Sequence, residues 1–385
     1  MRFADNRNKI GKYIPAVVFL IFIYGMALWF IFSPKPDYSS SEKRYLQKFP
    51  EVTAEKLLSG EFGSEFETFF ADRFPQRNTW VGLNAYTALA EGNNGASGVY
   101  NCKNGYLINK PVSTENNLDK NIGAVADFAK SIDTPTTVML VPSTGYIVDD
   151  VLPTFHDKYN DDEDISKISS TLSKDKIGFV DLRERFKSEY KNGSQLYYKT
   201  DHHWTTKGAY TGYQELCKAL GVTPIDDSTL KKDSYPDFYG TTYSSSGFWL
   251  TPPDNIEIWN NPKNSDRNIS VKITEGANIK NSGSMYFTDH LKEDDKYPVF
   301  IDGNHALTEI TNTNAKNGTI LLIKDSFSHS LAPFLAENYS KVVLVDLRYY
   351  KESVSDLVTT YNPEQVVVLY GIDNLATDTD IVWLK

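Results

Sequence analysis

The C-terminal part of the sequence alternates between short apolar runs and helical segments. Apolar runs at 319–323, 342–345 and 365–369 predict strands, and the segments 328–338 and 353–361 between them predict helices. Because strands joined through helices pair in parallel, the alternation predicts an α/β fold of three layers, with helices on both faces of a parallel sheet. Sites in such sheets lie beyond the carboxyl ends of the strands.

The stretch from residue 234 to residue 313 differs in composition. It is rich in Tyr, Ser, Asn, Gly and Asp, and its short alternating runs at 256–259, 269–273 and 285–287 predict strands. We interpret it as a β-rich insertion in the α/β domain. Nearer the N-terminus, apolar residues at helical spacing predict a helical region over residues 42–74.

Residues 14–32 form an uncharged, apolar run near the N-terminus. As a helix this run is about 28 Å long, which matches the core of a bilayer. Four basic residues precede it, so the positive-inside rule predicts a cytoplasmic start and an extracytoplasmic remainder, at the cell membrane. A cleaved signal peptide is the alternative, but residues 33–36 (SPKP) offer no small-x-small cleavage site, and we therefore favour an uncleaved, single-pass anchor.

The sequence thus predicts three parts. Residues 1–36 are the cytoplasmic start and the transmembrane anchor, residues 37–97 are a helical lead-in, and residues 98–385 are the α/β domain with its insertion at about 234–313. The net charge of −10 and the pI of about 5.2 argue against nucleic acid as a partner. Spacing alone leaves open whether the two cysteines, Cys102 and Cys217, form a disulfide.

The segment Asp201-His202-His203-Trp204 carries two of the six histidines directly after an aspartate. Imidazole titrates near neutral pH, and a carboxylate can orient it and stabilise its charged form, so the segment suits a general base with its acid. A hydrogen-bonded turn and a metal site are the alternatives. No clear carboxylate or cysteine cluster completes a metal site, and the sequence predicts neither a metal nor another cofactor.

Ser326 is the candidate nucleophile. It follows the strand predicted at 319–323 and directly precedes a predicted helix, which is the position at which an α/β sheet carries a site. Amides at a helix N-terminus can stabilise an oxyanion there. The alternative reading is an ordinary helix cap, for which Ser328 is equally suitable.

These segments resemble a known family. Asp201-His202-His203-Trp204 is the tetrad that names the bacterial DHHW family, and it is similar to the Asp-x-His-Trp segment of alginate O-acetylation proteins of the AlgJ and AlgX type. The block at residues 324–330 (KDSFSHS) resembles their nucleophile segment and, more loosely, the Gly-Asp-Ser block of SGNH hydrolases. The order, with the Asp-His segment before the serine, matches the permuted order of the alginate proteins.

The resemblance implies an SGNH-hydrolase-like fold in which Asp201 is the acid, His203 the base and Ser326 the nucleophile. Lys324 departs from the pattern, since it stands where a hydrolase has glycine. No clear match exists for the blocks that supply oxyanion donors in SGNH hydrolases. The candidates for oxyanion or substrate-binding roles are Gly240, Thr241, Asn374, Trp204 and Arg77.

The resemblance also implies an activity, namely the transfer of acetyl groups onto an exopolysaccharide or a cell-wall glycan. The implied partners are the polysaccharide acceptor and a membrane-bound O-acyltransferase (MBOAT) that supplies the acetyl group. Two alternatives stay open: an acetyl esterase that uses the same residues, and a non-catalytic glycan-binding or scaffold protein of an acetylation complex.

Overall fold

A computed structural model describes residues 12–112 and 117–384 of the chain. The chain divides into two compact units, Met1–Asn84 and Ala85–Lys385. This division falls before the boundary predicted after residue 97, so the small sheet that follows belongs to the larger unit.

The N-terminal unit begins with the apolar helix α1, Ile14–Phe32. It is the one helix in the described ranges that is long and apolar enough to cross a membrane, with a mean hydropathy of 2.4 and no buried residue. The elements that follow α1 are β1 (Tyr38–Ser39), β2 (Arg44–Tyr45), α2 (Ala54–Ser59), α3 (Glu61–Asp72) and α4 (Arg77–Ala90).

The helical region predicted over residues 42–74 is wrong for residues 42–53. Helix α2 begins only after Thr53, whose side chain accepts a hydrogen bond from Lys56 N as an N-cap. Gly60 then separates α2 from α3, because its φ of +81° is a left-handed conformation that ends a helix. Apolar spacing fits both helices but does not reveal this break.

The larger unit contains the rest of the strands and helices. Its strands are β3 (Gly95–Ala96), β4 (Val99–Asn101), β5 (Leu107–Asn109), β6 (Thr136–Val141), β7 (Gly178–Asp181), β8 (Lys231–Phe238), β9 (Asp254–Asn260), β10 (Ile269–Glu275), β11 (Asn278–Ser282), β12 (Leu307–Asn312), β13 (Asn317–Lys324), β14 (Tyr339–Val345) and β15 (Gln365–Gly371). Its helices are α5 (Asn117–Ser131), α6 (Thr144–Ile147), α7 (Asp161–Lys174), α8 (Arg183–Lys191), α9 (Thr206–Leu220), α10 (Thr241–Ser246), α11 (Ser328–Leu335), α12 (Val354–Tyr361) and α13 (Ile372–Thr377).

The central sheet has eight strands in the order β11-β10-β12-β14-β13-β15-β6-β7. The five strands from β14 to β7 pair in parallel, and β12, β10 and β11 extend them in antiparallel pairing. Strands β10, β11 and β12 come from the predicted insertion at 234–313, so part of that β-rich stretch is an edge of the main sheet. Strands β8 and β9 form a separate two-stranded sheet.

Both faces of the sheet are buried along its central strands β13, β14 and β15, as the parallel alternation predicts. Along β13, Ile320 and Leu322 contribute to one hydrophobic core, and Leu321 and Ile323 to the other. Helices α9 and α11 pack on the first face, and α5, α7 and α12 pack on the second. A strand that is apolar on both sides must be covered twice, and the result is the predicted three-layer arrangement.

The two cysteines, both in the described part of the chain, are separate, buried thiols. Burial raises the pKa of each to about 12, which keeps them protonated and unreactive at neutral pH.

Candidate active site

The Asp-His segment is a tight loop that leads into helix α9. Tyr197 and Trp204 face each other as an isolated antiparallel bridge, and Tyr198 N donates to His203 O at 3.2 Å. Thr205 then caps α9 by accepting a hydrogen bond from Gly208 N. The loop is therefore fixed at both ends, with its histidines at the closed end.

Asp254, at the start of β9, anchors this loop from a distant part of the sequence. Its carboxylate accepts hydrogen bonds from Thr200 N at 2.8 Å, Thr200 Oγ1 at 2.7 Å and Lys199 N at 3.1 Å. Burial raises its pKa, and these donors offset part of that effect. Sequence reasoning missed Asp254 because nothing local marks a partner more than 50 residues away.

The nucleophile turn joins β13 to α11. β13 ends at Lys324, α11 begins at Ser328, and Ser326 lies between them at the carboxyl end of a central parallel strand. The Asp325 carboxylate holds the turn: it accepts hydrogen bonds from Phe327 N at 2.9 Å and from Gly371 N at 2.8 Å, at the end of neighbouring strand β15. Two adjacent strand ends thus share one buried acceptor.

The structure brings the three residues of the predicted catalytic set together. His203 Nδ1 lies 2.5 Å from Asp201 Oδ1, and His203 Nε2 lies 2.6 Å from Ser326 Oγ. Because a carboxylate can only accept, Nδ1 carries the proton and Nε2 is free to accept from the serine hydroxyl. The residues are 2–8% exposed, so the contacts lie in a largely water-excluded place.

Electrostatics keep Asp201 ionised. Burial alone raises its pKa, but the neighbouring His203 and His202, together with hydrogen bonds from His203, hold it well below 3.8. Its second oxygen is satisfied as well, since Thr241 N donates to Oδ2 at 2.6 Å. A buried carboxylate with this many donors is a rigid acceptor that orients the imidazole.

Two aromatic residues fix the positions of the base and the nucleophile. The Tyr297 ring stacks on His203 at 4.1 Å and 13°, and its hydroxyl donates to Ser326 O at 3.1 Å. Trp204 is fully buried and its Nε1 donates to Phe327 O and to Ser330 Oγ, both at 2.9 Å. Trp204, predicted as a substrate-binding candidate, therefore joins the loop to the nucleophile turn. Tyr297 carries no sequence signal and was missed.

The structure gives the predicted oxyanion candidates Gly240, Thr241 and Asn374 hydrogen-bond partners within the protein. Gly240 N donates a hydrogen bond to Thr200 Oγ1 at 3.2 Å, and Thr241 N donates one to Asp201 Oδ2 at 2.6 Å. Asn374 Nδ2 donates to Asp325 Oδ2 at 2.7 Å. All three bond to residues that position the site, because two buried carboxylates require these donors.

A substitution of Gly240 should show how closely α10 packs on the acid. A Cβ at residue 240 would lie 2.1 Å from Asp201 Cβ, although the backbone itself is in an unstrained extended conformation. We expect Gly240→Ala to lower the free energy of unfolding by about 1–3 kcal/mol, as overpacking does. Denaturant unfolding measures this. A variant as stable as the wild type would contradict the packing.

One backbone donor at the nucleophile is available. Ser326 N–H makes no hydrogen bond to any residue that the structure describes, whereas the next amide, Phe327 N–H, is used by Asp325. The amide of the nucleophile itself is a common oxyanion donor in serine hydrolases.

A buried charge network lies next to the turn. Lys324 is 2% exposed, and its Nζ donates to Asp346 Oδ2 and to His329 Nε2, both at 2.9 Å. Asp346, fully buried at the end of β14, also pairs with Arg348 through Nε at 2.8 Å and Nη2 at 2.6 Å. Burial lowers the pKa of Lys324, and Asp346 opposes that shift. The lysine that replaces a hydrolase glycine is therefore an internal ion-pair partner.

A small cavity of about 50 Å³, lined by both polar and apolar residues, lies between the Asp-His loop, the nucleophile turn and the ends of β6 and β15. Its lining includes His202, Phe327, Ser143, Asp373 and Asn374. Ser143 Oγ donates to Asp373 Oδ1 at 3.1 Å. Burial raises the pKa of Asp373 to about 7, so that this carboxyl can be protonated at neutral pH.

Arg77 belongs to the N-terminal unit, where its guanidinium forms an ion pair with Glu42. Its predicted substrate-binding role has no support from these contacts.

Asp201, His202 and His203 could also offer ligand atoms to a metal, since one such atom from each lies within 4.8 Å of the others. Both nitrogens of His203 and both oxygens of Asp201 are already engaged in hydrogen bonds. A metal would have to displace Ser326 or Thr241, so the arrangement favours a hydrogen-bonded site.

The three-layer α/β arrangement, with the buried Ser326, His203 and Asp201 beyond the carboxyl edge of its sheet, confirms the predicted SGNH-hydrolase-like fold class. The comparisons with known proteins agree. The DHHW protein family matches residues 106–345, more than half of the chain, and the chain belongs to this family. No curated protein matches the sequence.

Two solved proteins share the fold. A DHHW family protein from Eubacterium siraeum aligns with a TM-score of 0.62 at 17% identity, covering 75% of this chain and 95% of its own. Bacillus cereus PatB1 with a sulfonyl adduct aligns with a TM-score of 0.61 at 20% identity, covering 74% and 97%. A second PatB1 structure gives 0.60 at 21% identity, covering 73% and 98%.

Proposed function

We propose that this protein is a membrane-anchored, extracytoplasmic O-acetyltransferase that transfers acetyl groups onto an exopolysaccharide or a cell-wall glycan. The observation that carries the proposal is the unbroken hydrogen-bond chain from Ser326 through His203 to Asp201, at 2.6 and 2.5 Å. Such a chain activates a hydroxyl for attack on an acyl group. The motif resemblance to alginate O-acetylation proteins supports acetyl as the group that is transferred and a glycan as the acceptor.

In the first half of the reaction, Ser326 Oγ attacks the acetyl carbonyl carbon of the donor. His203 Nε2 takes the serine proton and gives it to the leaving group as the bond to that group breaks. Asp201 stabilises the imidazolium, and Ser326 N–H donates to the carbonyl oxygen as it gains charge. The product of this half is an acetyl ester on Ser326.

In the second half, a sugar hydroxyl attacks the acetyl ester. His203 Nε2 takes the proton of that hydroxyl and returns it to Ser326 Oγ as the ester bond to the enzyme breaks. Attack by water instead gives acetate, which is the reaction of the alternative, an acetyl esterase. The two activities share the acyl-enzyme, and only the acceptor separates them.

The apolar helix α1 supports the proposed location, because its length and its hydropathy of 2.4 suit a membrane anchor. An anchored, extracytoplasmic enzyme needs an acetyl group that has crossed the membrane. We therefore propose a membrane-bound O-acyltransferase as the donor partner and a polysaccharide as the acceptor.

The proposal is tested with the full chain in detergent solution. The protein is mixed with a chromogenic acetyl ester and examined by intact mass for an adduct of about 42 Da, one acetyl group, as covalent catalysis requires. A sulfonyl fluoride, the reagent class suggested by the PatB1 adduct, should block this adduct. Glycans are then added, and acetylated glycan is measured against free acetate.

An acetyl adduct that decays faster with glycan and yields acetylated glycan supports the transferase. An adduct that yields only acetate favours the esterase. No adduct and no ester turnover in the wild type would refute a covalent mechanism and favour the scaffold alternative.

A further inference from the structure

His202, the histidine that the mechanism above does not use, lies directly against the base. The His202 and His203 rings are 3.9 Å apart between centroids, tilted by 35°. The His202 side chain is 29% exposed and lines the small cavity together with Phe327 of the nucleophile turn. In the Asp-x-His-Trp pattern this residue is the variable position, so a second imidazole here is a specific feature of the tetrad.

The hydrogen-bond network fixes which nitrogen of His202 is free. Thr241 Oγ1 lies 3.2 Å from Asp201 Oδ2 and 2.7 Å from His202 Nδ1. The ionised carboxylate accepts the single hydroxyl proton of Thr241, so Thr241 Oγ1 accepts from Nδ1–H of His202. The proton of a neutral His202 is thereby assigned to Nδ1, and Nε2 carries a lone pair.

His202 stays neutral in this position. Burial and the neighbouring His203 lower its pKa to about 3. Its Nε2 makes no hydrogen bond to any residue in ranges 12–112 and 117–384, and the partly exposed ring leaves it accessible. A neutral, unpartnered acceptor next to the catalytic base is a binding group for a hydroxyl.

We propose that His202 Nε2 accepts a hydrogen bond from a second hydroxyl of the acceptor, adjacent to the hydroxyl that attacks the acetyl ester. His202 is then a specificity-determining residue that favours acceptors with vicinal diols, as in sugars. This inference rests on the proposed function and names the class of acceptor.

A single hydroxyl cannot donate a hydrogen bond to both His202 and His203. The attacking hydroxyl has one proton, and that proton goes to His203 Nε2, so a hydrogen bond to His202 must come from another hydroxyl. The His202 and His203 rings are 3.9 Å apart between centroids, so that the two imidazole acceptors are neighbours, as the two donors of a diol are. The cavity of about 50 Å³ has room for a few waters, and thus for one hydroxyl-bearing arm of an acceptor.

The test compares two acceptors that differ by one hydroxyl, cyclohexanol and cis-cyclohexane-1,2-diol. The full chain in detergent is acetylated with a chromogenic ester, and the ratio of acetylated acceptor to acetate is measured for each. This ratio is independent of how much acyl-enzyme forms. We expect the wild type to favour the diol, and His202→Phe to lower the diol ratio about fivefold to tenfold, the worth of one hydrogen bond, without a matching change for cyclohexanol.

His202→Gln is the matched control. Like His202→Phe it lacks the imidazole, but its amide oxygen can accept where Nε2 did, so it should restore most of the preference for the diol. Equal wild-type ratios for the two acceptors would overturn the inference, as would an equal fall for both acceptors in His202→Phe, which would indicate a distorted loop. A wild type that forms no acyl-enzyme would refute the proposed function, and this inference with it. An acyl-enzyme without diol preference would refute the inference alone.

Discussion

Replacing Ser326 with alanine should abolish the acetyl adduct and lower ester turnover by about 10⁴-fold or more. His203 Nε2 hydrogen-bonds to the Ser326 hydroxyl at 2.6 Å, and alanine leaves the base with no hydroxyl to activate. Because the Ser326 side chain makes no hydrogen bond other than that with His203 among the described residues, the loss should leave the fold unchanged. Intact mass and ester hydrolysis measure the two effects.

A matched control separates this effect from a general serine-to-alanine effect. Ser131→Ala removes a hydroxyl that bonds only to Phe128 O within helix α5, and it should retain both adduct and turnover. His203→Ala should lower ester turnover by about as much as Ser326→Ala does. The double variant should turn over the ester no more slowly than either single variant, because the residues act as a unit. Retained adduct in Ser326→Ala would place the nucleophile elsewhere.

The sequence predicted those parts of the fold and the site that depend on local pattern. Strand and helix alternation located β13, β14 and β15, and the step from Ile323 to Ser326 located the nucleophile turn at a strand end. The tetrad itself identified Asp201 and His203 as two side chains that contact each other. These features are encoded in contiguous residues, where hydrophobic periodicity and the residues that end helices and strands can be recognised.

The supporting contacts were not predictable in the same way. Asp254, Tyr297 and Asp346 meet the site from strands and turns that are 20 to more than 90 residues away from their partners, and each looks like an ordinary residue in its own segment. Gly240 was predicted as an oxyanion donor, yet its role is to leave space for Asp201. Such roles depend on long-range packing, which single-sequence patterns do not contain.

Replacing Asp346 with asparagine should destabilise the larger unit by about 3–5 kcal/mol, the cost of leaving a buried charge without its partner. Lys324 is 2% exposed, and among the described residues Asp346 is the one carboxylate with which it forms an ion pair, at 2.9 Å. Lys324→Met should cost less, because Asp346 then keeps its pair with Arg348 at 2.6 Å. Denaturant unfolding of the full chain in detergent, followed by tryptophan fluorescence, measures both.

The loss of stability caused by Asp346→Asn should also depend on pH, and it should become smaller as the pH rises. Burial already lowers the pKa of Lys324 from 10.5, and removal of Asp346, which opposes that shift, should lower it further. Between the lowered value and 10.5 the unfolded chain binds more protons than the folded chain, so the stability of the variant rises with pH. The deficit relative to wild type should therefore be largest at neutral pH and shrink toward pH 10. An equal deficit at both pH values, or a larger effect of Lys324→Met than of Asp346→Asn, would show that Lys324 is not held as a buried cation by Asp346.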